Sequence, residues 1–121
     1  MFLPNKEQAI ISAEKLKNYL LSDSHPIGRS KATFFKGLGF SATNVSEFDQ
    51  AIRDLIQTHA VQETLSTAYG TKYIVNGILN GSAQQSHLVR TVWIVEEEGE
   101  ETYPKLVTVY PIDTWTSEDE T

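Results

Sequence analysis

In the first half of the chain, apolar residues recur every three or four positions, which is the spacing of amphipathic helices. Ser12 is a suitable N-cap for a first helix over about residues 13–21, whose apolar face carries Leu16, Tyr19 and Leu20. The longest periodic run opens at Ser46 and predicts a helix that continues to about residue 58. Its apolar face consists of Phe48, Ala51, Ile52, Leu55 and Ile56.

A cationic turn, His25-Pro26-Ile27-Gly28-Arg29-Ser30-Lys31, lies between these two helices. A loop is predicted from Ser22 to Gly28, because proline disfavours helix at the residue before it. A further helix is predicted over about residues 29–36, with Phe34, Phe35 and Leu38 directed inward and a glycine at its end. The cationic turn therefore leads directly into the first turn of a short amphipathic helix.

From Val61 onward, apolar and polar residues alternate with a period of two, which is typical of β-strands. A weaker strand is predicted at Val61–Ser66, and clear strands are predicted at Tyr73–Ile78, Leu88–Val95 and Lys105–Tyr110. Turn residues separate these runs, and the connections are short. Short connections imply an antiparallel meander, because parallel neighbours need long crossovers.

Helices that precede an antiparallel sheet predict an α+β fold, with N-terminal helices packed on a four-stranded antiparallel sheet. The length of 121 residues fits a single domain. Its helical half covers about residues 1–60, the sheet about residues 61–112, and an acidic tail residues 113–121.

Alternation along the strands divides the predicted sheet into two faces that differ in chemistry. We expect Val92 and Ile94 to pack against the helices, because they form an aliphatic face. Hydroxyl and aromatic side chains are expected to line a half-open cleft on the other face, to which we assign Thr91, Trp93, Leu106, Thr108 and Tyr110. The alternative is that the threonines and the tyrosine are present because these residues favour β-strands, and that Trp93 fills a minor core.

Charge is distributed unevenly along the chain, whose formal net charge is −6. Residues 1–95 carry a balance of +2 and residues 96–121 a balance of −8. Within residues 15–36, a single acid, Asp23, accompanies five cations, namely Lys15, Lys17, Arg29, Lys31 and Lys36. This cationic cluster indicates an anion site, most plausibly for a phosphate. The acidic residues between positions 96 and 121 either keep the protein soluble or determine which partner it binds.

Several classes of function are disfavoured by residues that the sequence lacks. Without cysteine there are no disulfides, thiolate nucleophiles or cysteine-based metal sites. The three histidines have no metal-ligand spacing, and neither a phosphate-binding glycine loop nor a Gly-x-Ser-x-Gly elbow is present, so no metal or cofactor is expected. No stretch reads as a signal peptide or a membrane span, so we expect a cytoplasmic protein with no membrane partner.

Acid–base and electrostatic chemistry on a phosphate is the remaining possibility. Metal-free RNA cleavage needs a base for the 2′-hydroxyl proton, an acid for the leaving oxygen and cations for the phosphorane. His25 is the leading base or acid, while Arg29 and Lys31 could contact phosphate oxygens. From the polar sheet face, the candidate residues are Thr91, Thr108 and Tyr110. The simpler alternatives are a loop histidine that caps or packs, and two solvated cations.

Blocks across residues 13–111 resemble a bacterial domain family that occurs as small stand-alone proteins and at the C-termini of polymorphic toxins. The blocks include His25–Lys31, and the most specific are the first and the last, Lys15-Leu16 and Leu106–Pro111. The layout is also similar to the ribonuclease superfamily that joins barnase, EndoU, the colicin tRNases and RelE-type toxins. That resemblance implies cleavage through a cyclic phosphate, with His25, Arg29 and Lys31 on the helical element. It places Thr91, Thr108 and Tyr110 on the strands.

These observations predict a metal-independent endoribonuclease that acts as the toxin of a toxin–antitoxin or polymorphic-toxin system. The expected partners are an RNA substrate, either tRNA or mRNA, and a cognate antitoxin or immunity protein. The alternative is a non-catalytic antitoxin, immunity or interaction protein whose acidic surface engages a basic partner. Cations at residues 15–36 favour the first hypothesis, and the acids at 96–101 and 117–120 favour the second.

Overall fold

The computed structural model describes residues 1–20, 29–81, 85–96 and 102–113, with the backbone alone at residues 19–20 and 29–31. Within these ranges lie the helices α1 (Ala13–Lys15), α2 (Arg29–Gly37) and α3 (Val45–Thr58) and the strands β1 (Val61–Thr67), β2 (Gly70–Asn80), β3 (Ser86–Glu96) and β4 (Lys105–Pro111). A short 3₁₀ helix, Lys6–Gln8, precedes them. The order of helices followed by strands confirms the predicted α+β class.

The first helix begins where the sequence predicts and then changes its hydrogen-bonding pattern. The Ser12 hydroxyl accepts a hydrogen bond from the Lys15 backbone N–H at 3.2 Å, which is the expected N-cap contact. After Lys15 the backbone continues as a π-helical turn, Leu16–Leu20. Apolar spacing does not encode this change. Leu16 is fully buried, so the turn places this side chain in the core.

The helices α2 and α3 lie close to their predicted ranges and bury the predicted apolar positions. In α3, Phe48, Ile52, Leu55 and Ile56 are buried. In and after α2, Phe35 and Leu38 are buried, while Phe34 is half-buried and packs edge-on against His87, with ring centroids 5.1 Å apart. The loop predicted from Ser22 to Gly28 lies entirely within residues 21–28, which are outside the described residues.

Three phenylalanine rings join the helices to one another at the centre of the core. Phe48 on α3 lies 4.8 Å from Phe35 on α2 and stacks on Phe40 at 4.7 Å, measured between ring centroids. All three side chains are buried. Aromatic pairs at these separations contribute beyond their buried area, so this cluster fixes α2 against α3.

The four strands form one antiparallel meander in the order β1-β2-β3-β4. The β2–β3 ladder runs from Gly70 opposite Glu96 to Asn80 opposite Ser86, so both strands are longer than predicted. The N-terminal segment joins the β4 side of the sheet. The Ile10 N–H donates to the Pro104 carbonyl at 2.8 Å, and the Ile10 carbonyl accepts from the Leu106 N–H at 2.9 Å.

On β3, the face that packs on the helices is the opposite of the one predicted. Trp93 and Val75 are fully buried in the helix-lined core, whereas Val92 and Ile94 are half-buried and face away from it. The Trp93 indole N–H donates to the Thr91 hydroxyl at 2.8 Å, and that hydroxyl donates to the Val75 carbonyl at 2.8 Å. The prediction was wrong because these hydrogen bonds satisfy the polar atoms and let the large indole occupy the core.

Gly77 allows α3 to approach β2 closely, which provides a test of the helix–sheet packing. A Cβ at this position would lie 2.7 Å from the His59 ring and 2.9 Å from Leu55 Cγ. The His59 ring is itself held, with Nδ1 3.0 Å from the Leu55 carbonyl. We expect Gly77→Ala to lower the free energy of unfolding by about 1–3 kcal/mol through overpacking, as measured by urea denaturation.

Gly37 provides the matched control for this measurement. It ends α2, and a Cβ there would meet nothing within 4 Å. Gly37→Ala should therefore leave stability unchanged or raise it by up to about 1 kcal/mol, through helix propensity. Equal stability of the two variants would contradict close contact between α3 and β2 at Gly77.

Candidate functional site on the outer sheet face

The sheet face that points away from the helices, here called the outer face, carries a row of polar side chains across three strands. Asn76 on β2 pairs with Arg90 on β3, and Arg90 pairs with Tyr110 on β4. Directly paired residues in an antiparallel sheet project to the same face, with Cα atoms about 4.5–5.5 Å apart. The next row along the sheet brings Thr108 beside Val92. Tyr110 and Thr108 are therefore close neighbours on the outer face, and both are half-buried.

Arg90 and Asn76 are buried even though they lie outside the apolar core. Their exposed fractions are 6% for Arg90 and 3% for Asn76. The Arg90 guanidinium donates through Nε to Asn76 Oδ1 at 3.0 Å. Arginine is seldom buried to this extent unless it is hydrogen-bonded, because removing its charge from water is costly. The Arg90–Asn76 contact therefore fixes a positive charge next to Tyr110.

A bulge in β4 determines the direction in which Thr108 projects. Pairing shifts between Val92 and Trp93, so that Trp93 lies opposite Leu106 while Val92 lies opposite Thr108. Val107 is the extra residue, and its carbonyl accepts a hydrogen bond from Lys15 Nζ at 2.9 Å. Strict alternation predicted Leu106 and Thr108 on one face, which is wrong. The bulge turns Leu106 into the core and leaves Thr108 on the outer face.

Thr91 lies on the core side of the sheet, apart from Thr108 and Tyr110. Its side chain is 0% exposed, and its hydroxyl both donates to Val75 and accepts from Trp93. The prediction that all three side chains share one face is therefore wrong. Its physical cause is the β3–β4 register, which pairs Thr91 with Val109 and so puts it on the face opposite Thr108 and Tyr110. The structure assigns the Thr91 hydroxyl a structural role within the core.

The cationic element predicted before the sheet is described in part. Arg29 and Lys31 lie in the first turn of α2, as predicted, and the structure describes their backbone. The helix α2 contacts β4, the strand that carries Thr108 and Tyr110. His25 belongs to residues 21–28, outside the described residues. The contact of α2 with β4 comes from the core side of the sheet, where Phe35 of α2 is buried, whereas Thr108 and Tyr110 project from the outer face. The described residues therefore do not join the two parts of the predicted site, and the roles of all these residues stay predictions.

Arg90 and Asn76 were not among the site residues predicted from the sequence. A signal was present, because Arg90 is a lone cation within the otherwise apolar run Leu88–Val95. Charged residues inside a strand are normally confined to a solvated face, and a cation between apolar neighbours indicates a specific contact. Asn76 could not be identified as its partner, because the β2–β3 register determines which residues face each other.

Neither a cluster of metal ligands nor a membrane-spanning helix is found in the described ranges, 1–20, 29–81, 85–96 and 102–113. In these ranges, no three histidine, aspartate or glutamate side chains lie close enough together to hold a metal ion. No helix found there has both the length and the apolar character needed to cross a bilayer.

Comparisons with known proteins give a family and a fold. A family model described as a domain of unknown function, DUF6883, matches residues 2–113. The structure is similar to a chain from a contact-dependent growth inhibition toxin–immunity protein complex of Klebsiella pneumoniae 342, with a TM-score of 0.60 and 18% sequence identity. The alignment covers 93% of this chain and 100% of that chain. No curated protein matches the sequence. At this level of identity the similarity establishes a shared fold.

The structural role of Thr91 can be tested by removing its hydroxyl. Thr91→Val keeps the shape of the side chain but leaves the Trp93 N–H and the Val75 carbonyl without this partner. We expect the free energy of unfolding to fall by about 1–3 kcal/mol, because both groups are buried. Urea denaturation followed by tryptophan fluorescence measures the change.

Thr91→Ser is the control, because it retains the hydroxyl and loses one methyl group. Its stability should lie above that of Thr91→Val. The reverse order would mean that packing, rather than hydrogen bonding, is the main contribution of Thr91.

Proposed function

We propose that this chain, which belongs to the DUF6883 family, is the toxin of a toxin–immunity pair and cleaves RNA without a metal ion. Membership of a pair is supported by the fold, which is shared with a chain of a toxin–immunity protein complex. The observation that carries the proposed activity is the polar row on the outer face, where Asn76 holds Arg90 beside Tyr110. The layout of helices before an antiparallel sheet is similar to that of the barnase, EndoU, colicin and RelE-type ribonucleases, and this resemblance supports the same chemistry.

The proposed reaction is an internal transesterification of the RNA backbone. A base removes the proton from a 2′-hydroxyl, and the oxygen attacks the adjacent phosphorus. The bond from phosphorus to O2′ forms while the bond to the 5′-oxygen breaks, and an acid protonates the leaving oxygen. The products are a 2′,3′-cyclic phosphate and a 5′-hydroxyl. Negative charge accumulates on the phosphorane oxygens, so nearby cations and hydrogen-bond donors lower the barrier.

We assign the proton transfer to His25 and the phosphate contacts to Arg29 and Lys31. Histidine can accept and donate a proton near neutral pH, which suits both halves of the reaction. An arginine fork and a lysine point charge complement phosphate oxygens. The cluster of cations over residues 15–36 supports this assignment, because it concentrates positive charge in the segment that carries these residues.

On the outer face we assign Tyr110 to hydrogen bonding or base stacking, and Thr108 to hydrogen bonding with the phosphate. Arg90 acts as a positioning residue, because it is buried and bonded to Asn76 while its strand neighbour Tyr110 is partly exposed. Thr91 has no part in this site, because its hydroxyl is committed to the core. The proposed substrate is tRNA or mRNA in the cytoplasm, and the proposed protein partner is a cognate antitoxin or immunity protein.

A second candidate function is that of the immunity protein itself. The observation that favours it is the charge balance of −8 over residues 96–121, which is complementary to a basic toxin. In this case the chain would bind and block a nuclease and would cleave no RNA. The two candidates differ in a direct measurement, since only the first predicts a product with a cyclic phosphate end.

The test is incubation of the purified chain with total tRNA and with an mRNA transcript in excess EDTA. We expect wild-type protein to generate 2′,3′-cyclic phosphate and 5′-hydroxyl ends. His25→Ala should reduce the rate by roughly 100-fold or more, because it removes the general acid–base group. Tyr110→Phe should reduce it about tenfold or more, because it removes one hydrogen-bond donor while keeping the ring. End-group analysis of the cleaved RNA gives both the rate and the chemistry.

His87→Ala is the matched control, because it removes an exposed histidine at the start of β3 that we do not assign to the site. It should cleave RNA at the wild-type rate. Induced expression should be toxic for wild type and harmless for His25→Ala. No cleavage by wild type, together with equal harmlessness of wild type and His25→Ala, would overturn the ribonuclease proposal and favour the immunity function.

A further inference from the structure

The two edge strands of the sheet, β4 and β1, differ in how far other segments of the chain pair with them. The β4 edge is covered, because Ile10 pairs with it in parallel and Lys15 Nζ bonds the Val107 carbonyl. At the β1 edge, the Val61 N–H donates to the Met1 carbonyl at 2.7 Å. From Gln62 to Ser66, the described residues provide no further backbone partner on that side. Within the described part of the chain, β1 is thus an open edge beyond its first residue.

An open edge strand is a template for pairing, and proteins usually protect it with lysine, proline or a bulge. β1 has a bulge near its start, between Val61 and Glu63. From Glu63 to Thr67 it contains no lysine and no proline. Leu65 in this stretch is 44% exposed, and Tyr69 in the following turn is also largely exposed. These properties fit a strand that is paired in solution.

We propose that β1 pairs with β1 of a second copy of this chain, antiparallel about a two-fold axis at Thr64. The two four-stranded sheets would then form one continuous sheet. In this register Gln62 faces Ser66 of the second copy, and Glu63 faces Leu65 of the second copy. No like charges face each other across the axis, so the strand is complementary to itself.

Charge complementarity supports a second copy as the occupant. Leu65 pairs with Lys72 within one chain, so the Glu63 of the second copy lies two strands away from Lys72. That is about 10 Å between backbones, which an extended lysine and an extended glutamate side chain can bridge. Each Leu65 side chain would lie between Lys72 of its own chain and Glu63 of the second copy. Neither Glu63 nor Lys72 forms an ion pair within the described part of a single chain.

The size of the contact predicts a weak dimer. One pair of seven-residue strands with one apolar side chain from each copy buries less than the roughly 1,200 Å² typical of stable complexes. We therefore expect monomers at about 5 µM and a growing dimer fraction toward about 500 µM. This proposal does not rest on the proposed ribonuclease or immunity function, and its test does not involve RNA.

Sedimentation velocity over this concentration range tests the proposal with wild type and two edge variants. Leu65→Glu places a second carboxylate directly opposite Glu63 of the second copy, and like charges in that position destabilise strand pairing. Ser66→Pro removes a backbone N–H from the free edge, if the far-UV circular dichroism of the variant shows that it folds. Both variants should stay monomeric at concentrations where wild type dimerises. Glu14→Lys on α1 is the control, and this exposed charge change should leave dimerisation unchanged.

A charge exchange tests the register. Glu63→Lys and Lys72→Glu should each weaken the dimer about threefold to tenfold, and the double variant Glu63→Lys/Lys72→Glu should restore it. Wild type that stays monomeric at the highest concentration would overturn the proposal and leave the edge for a strand of another protein. A dimer that is insensitive to Leu65→Glu, or a double variant weaker than either single variant, would also overturn it.

Discussion

The hydrogen bonds that link Trp93, Thr91 and Val75 decide which face of the sheet becomes the core. The indole of Trp93 is the largest fully buried side chain among the described residues, and its N–H needs a partner once it leaves water. Thr91 provides that partner from two residues away on the same strand and passes its own proton to the Val75 carbonyl on β2. With this face turned inward, Asn76 and Arg90 must lie on the outer face, because neighbouring residues in a strand alternate.

The β4 bulge then separates the roles of neighbouring residues on one strand. Without it, Leu106 and Thr108 would compete for the same face, although one fits the apolar core and the other does not. The extra residue, Val107, puts the two side chains on opposite faces, and its own carbonyl takes a partner outside the sheet. Lys15 satisfies that carbonyl, so the N-terminal helix stabilises the strand geometry from which Thr108 and Tyr110 project. The helix and the outer face are thus coupled through one hydrogen bond.

The periodicity of apolar residues was sufficient to predict the fold class, the order of the elements and most of the buried helix positions, because burial of one face dominates helix formation. Phe35, Phe48 and Ile52 are examples. Three features depend on long-range pairing and could not be predicted. They are the choice of core face, which follows from the satisfied Trp93 N–H, the β4 bulge, and the register that puts Asn76 opposite Arg90. Of the three predicted strand residues, Thr108 and Tyr110 share the outer face and Thr91 does not join them, while their part in a site stays a prediction.

The net negative charge of the chain is compatible with an anion site on the outer face, because electrostatic influence between solvated charges is short-ranged. The acidic run begins at Glu96, at the far end of β3 from Arg90. Glu96 is six positions after Arg90 along the strand, so their backbones are about 20 Å apart. The Debye length at physiological salt is about 8 Å, so a solvated glutamate at that distance is largely screened. Lys105 also bonds Glu96, with Nζ and Oε1 3.1 Å apart, which further reduces its field. The field of Glu96 at Arg90 is therefore small.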